Sequence, residues 1–357
     1  MAIDIFSTHY LLAAMKASLT PPTSFLRDRY FPTNAATDIF TSDDVLIEYK
    51  DGKKKVAPFV APRKGGITIT RDGSYMVRYT PPFVAPRRTL TIDDLKKRGF
   101  GEALLSNLTP EQRQSVMMLQ DISELDEMIV RREEVMAAEI LCTNGCIMKH
   151  YADDMETVVD EKELRFYDEE TNPYTYTPTV KWGEEGADII GDIHAMIQMQ
   201  KAKGLPASEL LVADDVAAII LNDEKILKKL DTENYNIGTI NPEELPEGVT
   251  RIGVLNVHGR LITVLNYSET YEDENGNDVA YIPDGTAVLV APAVGRTMYG
   301  AVTQLEQKDG EFHTYTGQRV PKYLSDAVAN TRTITLSSCP LPIPNRRGAW
   351  ITSKVTA

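Results

Sequence analysis

The feature that most constrains the fold of this chain is a hexapeptide that occurs twice. Residues 58–63 and 82–87 both read Pro-Phe-Val-Ala-Pro-Arg, and they flank two alternating stretches, 67–70 and 75–80, joined by an Asp-Gly turn. Alternation around Asp-Gly predicts a β-hairpin. Proline lacks the N–H that a central strand needs and favours extended backbone, so both flanks are predicted to lie outside the middle of a sheet. The sequence therefore predicts a long two-stranded arm.

The sequence does not decide what this arm contacts. An isolated hairpin is marginally stable in water, so it either reaches another molecule or lies on its own domain. Basic clusters at 53–55, 63–64, 87–88 and 96–98 fall within or just after the hairpin. They could dock onto an acidic neighbour, or they could form a solvated face that resists edge aggregation. We expect residues 68–79 to contribute little to the core of the body.

Length and composition bound the class of protein. A chain of 357 residues suggests two domains or one elaborated domain. Hydrophobic content of 42% and charged content of 25% are ordinary for a soluble globular protein. The formal charge of −14 argues against general nucleic-acid binding, which depends on Lys and Arg neutralising phosphates. No apolar run is long enough to span a bilayer, and the apolar stretch 10–15 lacks the basic flank of a signal peptide.

The best-defined predicted element is a helix over residues 110–143. Thr109 is a suitable N-cap, Pro110 fits the first helical position and Gln112 completes a capping box. Asn144-Gly145 supplies the stop. At 1.5 Å per residue the helix is about 50 Å long. Apolar residues at helical spacing predict one buried face: Met118, Ile122, Leu125, Ile129, Met136 and Ile140.

The remaining pattern mixes helices and strands without steady βαβ alternation, which indicates an α+β fold. Up to residue 43 the chain is predicted to be a short helix followed by an irregular arm. Prolines 340, 342 and 344 are predicted to separate the last two strands. Predicted strands lie at 45–50, 147–151, 164–167, 210–213, 252–257, 261–267, 287–291, 332–338 and 349–355. A helix is predicted at 187–202 and a pair of helices over 214–230.

The sequence contains no strong catalytic or metal-binding signature. The motifs of P-loops, zinc proteases and nucleophile elbows are absent. Gly99-Phe100-Gly101 is interpreted as a plain turn, and residues 273–278 resemble a calcium loop but are interpreted as a hairpin tip because Asp278 replaces the required glycine. We therefore predict no catalytic, cofactor-binding or metal-ligating residues. Five histidines are scattered singly: His9, His150, His194, His258 and His313.

The three cysteines also lack a recognisable pattern. Cys142 and Cys146 are close in sequence and Cys339 is distant. This spacing fits no common zinc site. We expect reduced thiols, as in a cytosolic protein.

Several segments, in this order and spacing, resemble the lambda-like capsid protein E family of tailed-bacteriophage major capsid proteins. Residues 25–32 look like the N-terminal arm motif of that family, and 82–90 look like the segment leaving its extended loop. Residues 131–138 resemble the second half of its long spine helix. The other resembling segments are 281–286 and 296–300 in the β-rich axial region and 321–322 and 337–342 near the C-terminus.

The resemblance implies the Hong Kong 97-type capsid fold. It divides the chain into an N-terminal arm (1–43), an extended loop (44–90), a peripheral domain with the spine helix (91–180), an axial domain (181–319) and C-terminal strands returning to the peripheral domain (320–357).

The same resemblance implies a structural function and no enzymatic activity. Subunits would form hexameric and pentameric capsomers of an icosahedral shell that encloses genomic DNA without sequence-specific binding. Because the arm motif begins at Phe25, a separate scaffolding protein is implied, with a portal and a decoration protein as further partners. The protein would be found in the virion and, during assembly, in the host cytoplasm. The alternatives are a cellular nanocompartment shell of the same fold and a hydrolase with scattered acidic residues.

Overall fold

A computed structural model describes residues 24–50, 74–96, 110–151, 158–170, 173–223, 226, 238–245, 248–307 and 309–356. The predicted helix near the N-terminus, Thr109, the first copy of the hexapeptide and the stretch 67–70 lie outside these residues. The described helices are α1 (Phe25–Tyr30), α2 (Ile92–Lys96), α3 (Pro110–Thr143), α4 (Ile189–Lys203) and α5 (Asp214–Asn222).

Strands make up most of the remaining regular structure. The described strands are β1 (Val45–Lys50), β2 (Ser74–Tyr79), β3 (Arg87–Thr91), β4 (Gly145–Tyr151), β5 (Val158–Arg165), β6 (Thr175–Tyr176), β7 (Glu209–Val212), β8 (Gly238–Leu245), β9 (Val249–Val257), β10 (Arg260–Tyr267), β11 (Thr270–Glu272), β12 (Asp278–Ala280), β13 (Thr286–Val290), β14 (Gly295–Tyr299), β15 (Val302–Leu305), β16 (Phe312–Tyr315), β17 (Val320–Asp326), β18 (Thr331–Ser337), β19 (Pro340–Pro344) and β20 (Ile351–Lys354). Helices and strands are mixed, so the α+β prediction is confirmed.

The main sheet has seven strands in the order β6-β20-β13-β7-β10-β9-β8. Its pairs are antiparallel except β10 with β7 and β20 with β6. The central strand β7 is buried at every residue, as its continuous apolar sequence predicts. Helix α4 contacts β9, β13 and β20, while α5 contacts β10. The largest cluster of buried apolar side chains lies here.

Helix α3 runs as predicted over all 34 residues and packs against two separate cores. Near its middle, Ile122, Leu125 and Ile129 pack against Ile334 and Leu336 of β18. Its C-terminal part joins the main core through Met136 and Ile140, as predicted, and also through Val135 and Leu141, which the predicted face did not include. The helix ends at Asn144, whose φ of 59° is a left-handed conformation that asparagine tolerates better than most residues.

Two sequence predictions about local structure are wrong. Residues 25–30 form helix α1 rather than an irregular arm. Prolines 340, 342 and 344 do not interrupt a strand but lie inside β19, which is buried and pairs with β14. A strand with a single neighbour needs the N–H groups of alternate residues only. Leu341 and Ile343 lie at those alternate positions, so the prolines are tolerated at this edge.

Among the described residues, no helix is both long and apolar enough to cross a membrane.

Candidate functional site: the arm base and the hairpin root

Helix α1, which we call the arm base, is capped by a glutamate from a distant part of the chain. The Glu134 carboxylate accepts hydrogen bonds from the backbone N–H groups of Leu26 (2.7 Å) and Arg27 (2.9 Å). Ser24 occupies the N-cap position, but its side chain makes no capping bond. Free N–H groups in the first turn of a helix need acceptors, and a negative charge there is favourable. Glu134 on α3 therefore does what a local N-cap residue would normally do.

Beside this cap lies a buried ionic cluster of two arginines and two carboxylates. Arg27 donates to Glu133 at 2.7 Å. Arg319 donates two hydrogen bonds to the same carboxylate, at 2.8 and 3.1 Å, and one to Asp126 at 2.6 Å. The Glu133 side chain is fully buried, and both arginine side chains are only 12% exposed. The cluster thus joins the arm base, helix α3 and the segment before β17.

The electrostatics of this junction are set by burial and by opposite charge. Burial disfavours the charge on Arg319, but the nearby Glu133 outweighs it and raises the arginine pKa. At Glu134, burial raises the pKa even though Leu26, Arg27 and Tyr267 donate hydrogen bonds to its carboxylate. Burial is also the main cause of the raised pKa of Tyr267, whose hydroxyl donates to Glu134 at 2.9 Å. Glu133 and Glu134 are therefore both held by dedicated donors from the protein.

A second set of contacts fastens the arm base to the main sheet. The Arg29 guanidinium makes two hydrogen bonds with Glu209 of β7, one of them at 2.8 Å. The Tyr30 hydroxyl donates to the same carboxylate at 3.0 Å. Glu209 is a buried charge in an apolar strand, so its pairing with Arg29 and Tyr30 satisfies a group that would otherwise be costly to bury. The arm base is consequently bound to both α3 and β7.

The residue after α1, Phe31, is also held by specific contacts. Phe31 is fully buried, and its ring packs edge-on against Trp350 with centroids 6.1 Å apart. Its carbonyl accepts from the backbone N–H of Thr297 at 3.1 Å and from the hydroxyl of the same residue at 2.9 Å. Gly295 leaves room for the ring, because a Cβ atom there would lie 2.3 Å from Phe31 Cδ1.

Strands β1 and β2, which we call the hairpin root, pack against the main core of the same subunit. Strands β1 and β2 are antiparallel, with Val45 opposite Tyr79 and Lys50 opposite Ser74. One face of the ribbon is buried in the main core through Val45, Ile47, Tyr49 and Tyr79. Since β2 supplies Tyr79 and pairs with β1, the expectation that residues 68–79 contribute little to the core is wrong.

The opposite face of the hairpin root is exposed and carries large apolar side chains. Leu46 is 53% exposed and Met76 67% exposed. The base of this face is closed by Asp44, which accepts from Arg78 and, at 2.7 Å, from the Thr80 hydroxyl. Residues 51–73 connect the two strands and contain six basic residues: Lys53, Lys54, Lys55, Arg63, Lys64 and Arg71.

The second copy of the hexapeptide follows the hairpin root and is extended, as the prolines predict. Val84 exchanges two backbone hydrogen bonds with Ser338, at 2.8 and 2.9 Å, and the Pro86 carbonyl accepts from Leu336. This copy therefore continues the edge strand β3 of the sheet β17-β18-β3. Arg88 of the next basic cluster pairs with Asp121 and Glu124 of α3 in the same subunit. For Arg88, the partner is therefore in its own chain.

The structure brings two of the histidines together and leaves the others apart. His194 of α4 and His258 of the β9–β10 turn have ring centroids 4.3 Å apart. His150 lies on β4 and His313 on β16, while His9 and Gly99–Gly101 lie outside the described residues. Residues 273–278 form the predicted hairpin tip, in which the Asp273 carboxylate accepts from the backbone N–H groups of Asn275 and Asn277. His313 lies beside Asp309 and Glu311 in an exposed group.

The three cysteines are free. Burial raises the pKa of Cys142 and Cys146 to about 12 and that of Cys339 to about 11. Nucleophilic cysteines need a lowered pKa, so these thiols are chemically quiet at neutral pH.

The two acidic residues that hold the arm base, Glu133 and Glu134, were not predicted from the sequence. Glu133 and Glu134 fall within the segment 131–138 that resembles a spine helix, but nothing in a single sequence pairs them with Arg27 or Arg319. One usable signal was two adjacent acidic residues next to the apolar positions Val135 and Met136, because a charge beside a buried helix face needs a partner.

Known proteins are similar to this chain along most of its length. The family model described as phage major capsid protein E matches residues 7–355. The major capsid protein of Enterobacteria phage P21 is 23% identical over 266 residues, covering 74% of this chain and 75% of that protein. That of Escherichia phage lambda is 23% identical over 316 residues, covering 86% and 87%. A crystal structure described as a prophage capsid protein of Escherichia coli CFT073 has a TM-score of 0.67 at 17% identity, covering 98% of this chain and 99% of that one.

Proposed function

This chain belongs to the phage major capsid protein E family, and we propose that its subunits close into an icosahedral shell that encloses the phage genomic DNA. As a major capsid protein it is a component of the virion. The proposal adds the shell geometry, with hexameric and pentameric capsomers, and includes no catalytic activity. Family membership favours this function over a nanocompartment shell or a hydrolase.

We propose the following division of labour along the chain. Residues 1–43 act as the arm, 44–90 as the extended loop, 91–180 as the peripheral domain, 181–319 as the axial domain and 320–357 as the returning strands. The contacts of the arm base support a subunit whose arm leaves a rigid body. Helix α1 is tied to α3 through Glu134 and to β7 through Glu209, so the arm begins from a fixed position.

One observation carries the assembly proposal. The hairpin root is fixed in the core by Tyr49 and Tyr79, yet its outer face exposes Leu46 and Met76. The 23 residues between its strands, 51–73, are rich in Lys and Arg. A small hairpin would need only two residues to join Lys50 to Ser74. Exposed apolar side chains on a ribbon with so long a connection are typical of a contact surface, and in a shell the partner is another copy of this chain.

The partners proposed beyond the shell itself are a separate scaffolding protein, a portal and a decoration protein, with assembly in the host cytoplasm. The genomic DNA is enclosed without sequence-specific binding. The net charge of −14 supports a body that does not hold duplex DNA by itself.

The experiment that tests the proposal replaces residues 51–73 with Asn-Gly. Because Lys50 and Ser74 are direct partners, this dipeptide can close the β1–β2 ribbon as a tight turn and leave the buried face intact. We expect a folded subunit with an unchanged cooperative melt that forms no closed shells in electron micrographs when it is co-expressed with the scaffolding protein. The unaltered chain should form shells under the same conditions.

A matched control keeps the reach of the connection but removes its side chains. In this variant a Gly-Ser segment of equal length replaces residues 51–73. Loss of shells in both variants would assign assembly to specific contacts of the connection, and loss in the Asn-Gly variant alone would assign it to reach. Normal shells from both would overturn the proposed role of the hairpin. Failure of the unaltered chain to form any shell would overturn the proposed function itself.

A further inference from the structure

Two histidines that are far apart in the sequence meet on the surface of the main sheet. His194 lies in the first half of helix α4, and His258 lies in the turn between β9 and β10. Their ring centroids are 4.3 Å apart, with an angle of 57° between the planes. His258 is exposed and His194 is half-buried. Solvent can therefore reach the pair.

Both elements that carry the pair are fixed by their own local structure. Helix α4 starts at Asp188, whose side chain accepts from the N–H of Gly191, and it ends at Gly204 in a left-handed conformation. The β9–β10 turn is tight, with His258 at φ 47° and Gly259 at φ 84°. The side chain of Asn256 accepts from the Gly259 N–H at 2.8 Å and closes the turn. The two rings are thus presented by rigid supports, as a binding site requires.

The distance between the ring centroids leaves room for both imidazoles to bind one metal ion. An imidazole nitrogen binds a divalent transition metal at about 2.0–2.1 Å, so two rings that ligate at a right angle have centroids roughly 4.5 Å apart. The observed 4.3 Å is within a few tenths of an ångström of that value. Right-angled nitrogen and oxygen ligation is typical of Ni²⁺ and Cu²⁺, both of which imidazole binds well.

A candidate for a third ligand, Gln198, lies on the same helix. The side-chain amide of Gln198 lies 3.2 Å from His194 Nε2. Its amide group can turn to present the carbonyl oxygen, because the two ends of an amide differ only in hydrogen bonding. Gln198 is exposed, so this rotation displaces no buried partner.

We propose that His194 and His258, with Gln198 as an oxygen ligand, form a surface site for a divalent transition-metal ion. Binding would join the β9–β10 turn to helix α4. Since only the folded subunit brings the two histidines together, the metal would stabilise the folded state.

The test uses untagged, full-length protein and Ni²⁺, because Cu²⁺ could oxidise the three free cysteines. Titration calorimetry should show one Ni²⁺ site per subunit, and saturating Ni²⁺ should raise the melting temperature reversibly with chelator. His194→Ala and His258→Asn should each abolish both effects. Asparagine is chosen at position 258 because it tolerates the positive φ there. Without metal, both variants should melt like the unaltered protein.

Two further variants distinguish metal ligation by this pair from simple stacking of the rings and from binding at a different histidine. His313→Ala removes a histidine from the exposed group with Asp309 and Glu311 and should leave Ni²⁺ binding intact. Gln198→Glu replaces a neutral oxygen with an anionic one and should tighten binding, whereas two histidines that only stack would predict no change. Undiminished binding by His258→Asn, or loss of binding in His313→Ala alone, would overturn the proposal.

Discussion

The clearest energetic test of the arm base is to remove one charge from its buried cluster. Glu133 balances two arginines, and Glu133→Gln keeps the shape of the side chain while leaving Arg27 and Arg319 short of one negative charge. Removing one partner of a buried ion pair costs about 3–5 kcal/mol, because the remaining charge is buried without compensation. All three side chains are at least 88% buried, so solvent screening is small.

This cost can be converted into a melting temperature. With an unfolding entropy of about 2.1 cal/mol/K per residue, a chain of 357 residues shifts by roughly 1.3 °C for each kcal/mol. Glu133→Gln should therefore lower the melting temperature of the unassembled subunit by about 4–7 °C. Differential scanning calorimetry or fluorescence on the free subunit is the appropriate assay, since assembly would add contacts between copies.

The matched control is Glu124→Gln on the same helix. Glu124 makes the same kind of pair, with Arg88, but it is 57% exposed. Exposed pairs contribute about 0–1 kcal/mol, so the control should melt within about 1 °C of the unaltered protein. If the two variants melted together, the buried cluster would not be the junction that holds α1 on α3, and the reasoning from burial would be refuted.

Further predictions concern pH, thiol chemistry, salt and DNA. Burial raises the pKa of Glu134, so the contribution of this group to stability is greatest below its unfolded pKa and is lost as the pH rises through its folded pKa. The stability of the unaltered subunit relative to Glu134→Gln should therefore increase in denaturant titrations as the pH is lowered from 7 to below 4.5, and a constant difference would contradict this. Ellman's reagent at pH 8 should label Cys142, Cys146 and Cys339 only after denaturation. Light scattering should show more complete assembly at about 0.15 M salt than at low salt, because screening weakens repulsion between subunits, and suppression by salt would show that attraction of the basic arm dominates. In gel-shift assays at 0.15 M salt, the free subunit should not bind duplex DNA measurably.

Elements with a long or continuous pattern could be predicted from sequence. Helix α3 repeats its apolar spacing over many turns, so no single ambiguous residue matters. After Glu209, strand β7 is a continuous apolar run, which predicts burial on both faces. The edge position of Val84 and Pro86 followed from proline chemistry alone.

Elements that depend on distant partners could not be predicted in this way. Helix α1 has six residues, which is far too short to be stable alone, and its cap lies 108 residues away in Glu134. The pairing of β2 with β1 depends on a register that local alternation does not specify. The meeting of His194 and His258 likewise requires the β9–β10 turn to fold back onto α4. Each of these features is a property of tertiary structure.

The contacts of the arm base with residues distant in sequence affect the order of events during protein synthesis. Arg27 leaves the ribosome early, but Glu133 is 106 residues later and Arg319 a further 186 residues beyond it. At about 5–20 residues per second, Arg319 is made roughly 15–60 s after Arg27. Throughout that interval the buried ionic cluster around Glu133 lacks one of its two arginines. The contacts of the arm base with Glu134 and Glu209 can form earlier, but the buried cluster that joins it to the segment before β17 is complete only after Arg319 has been made.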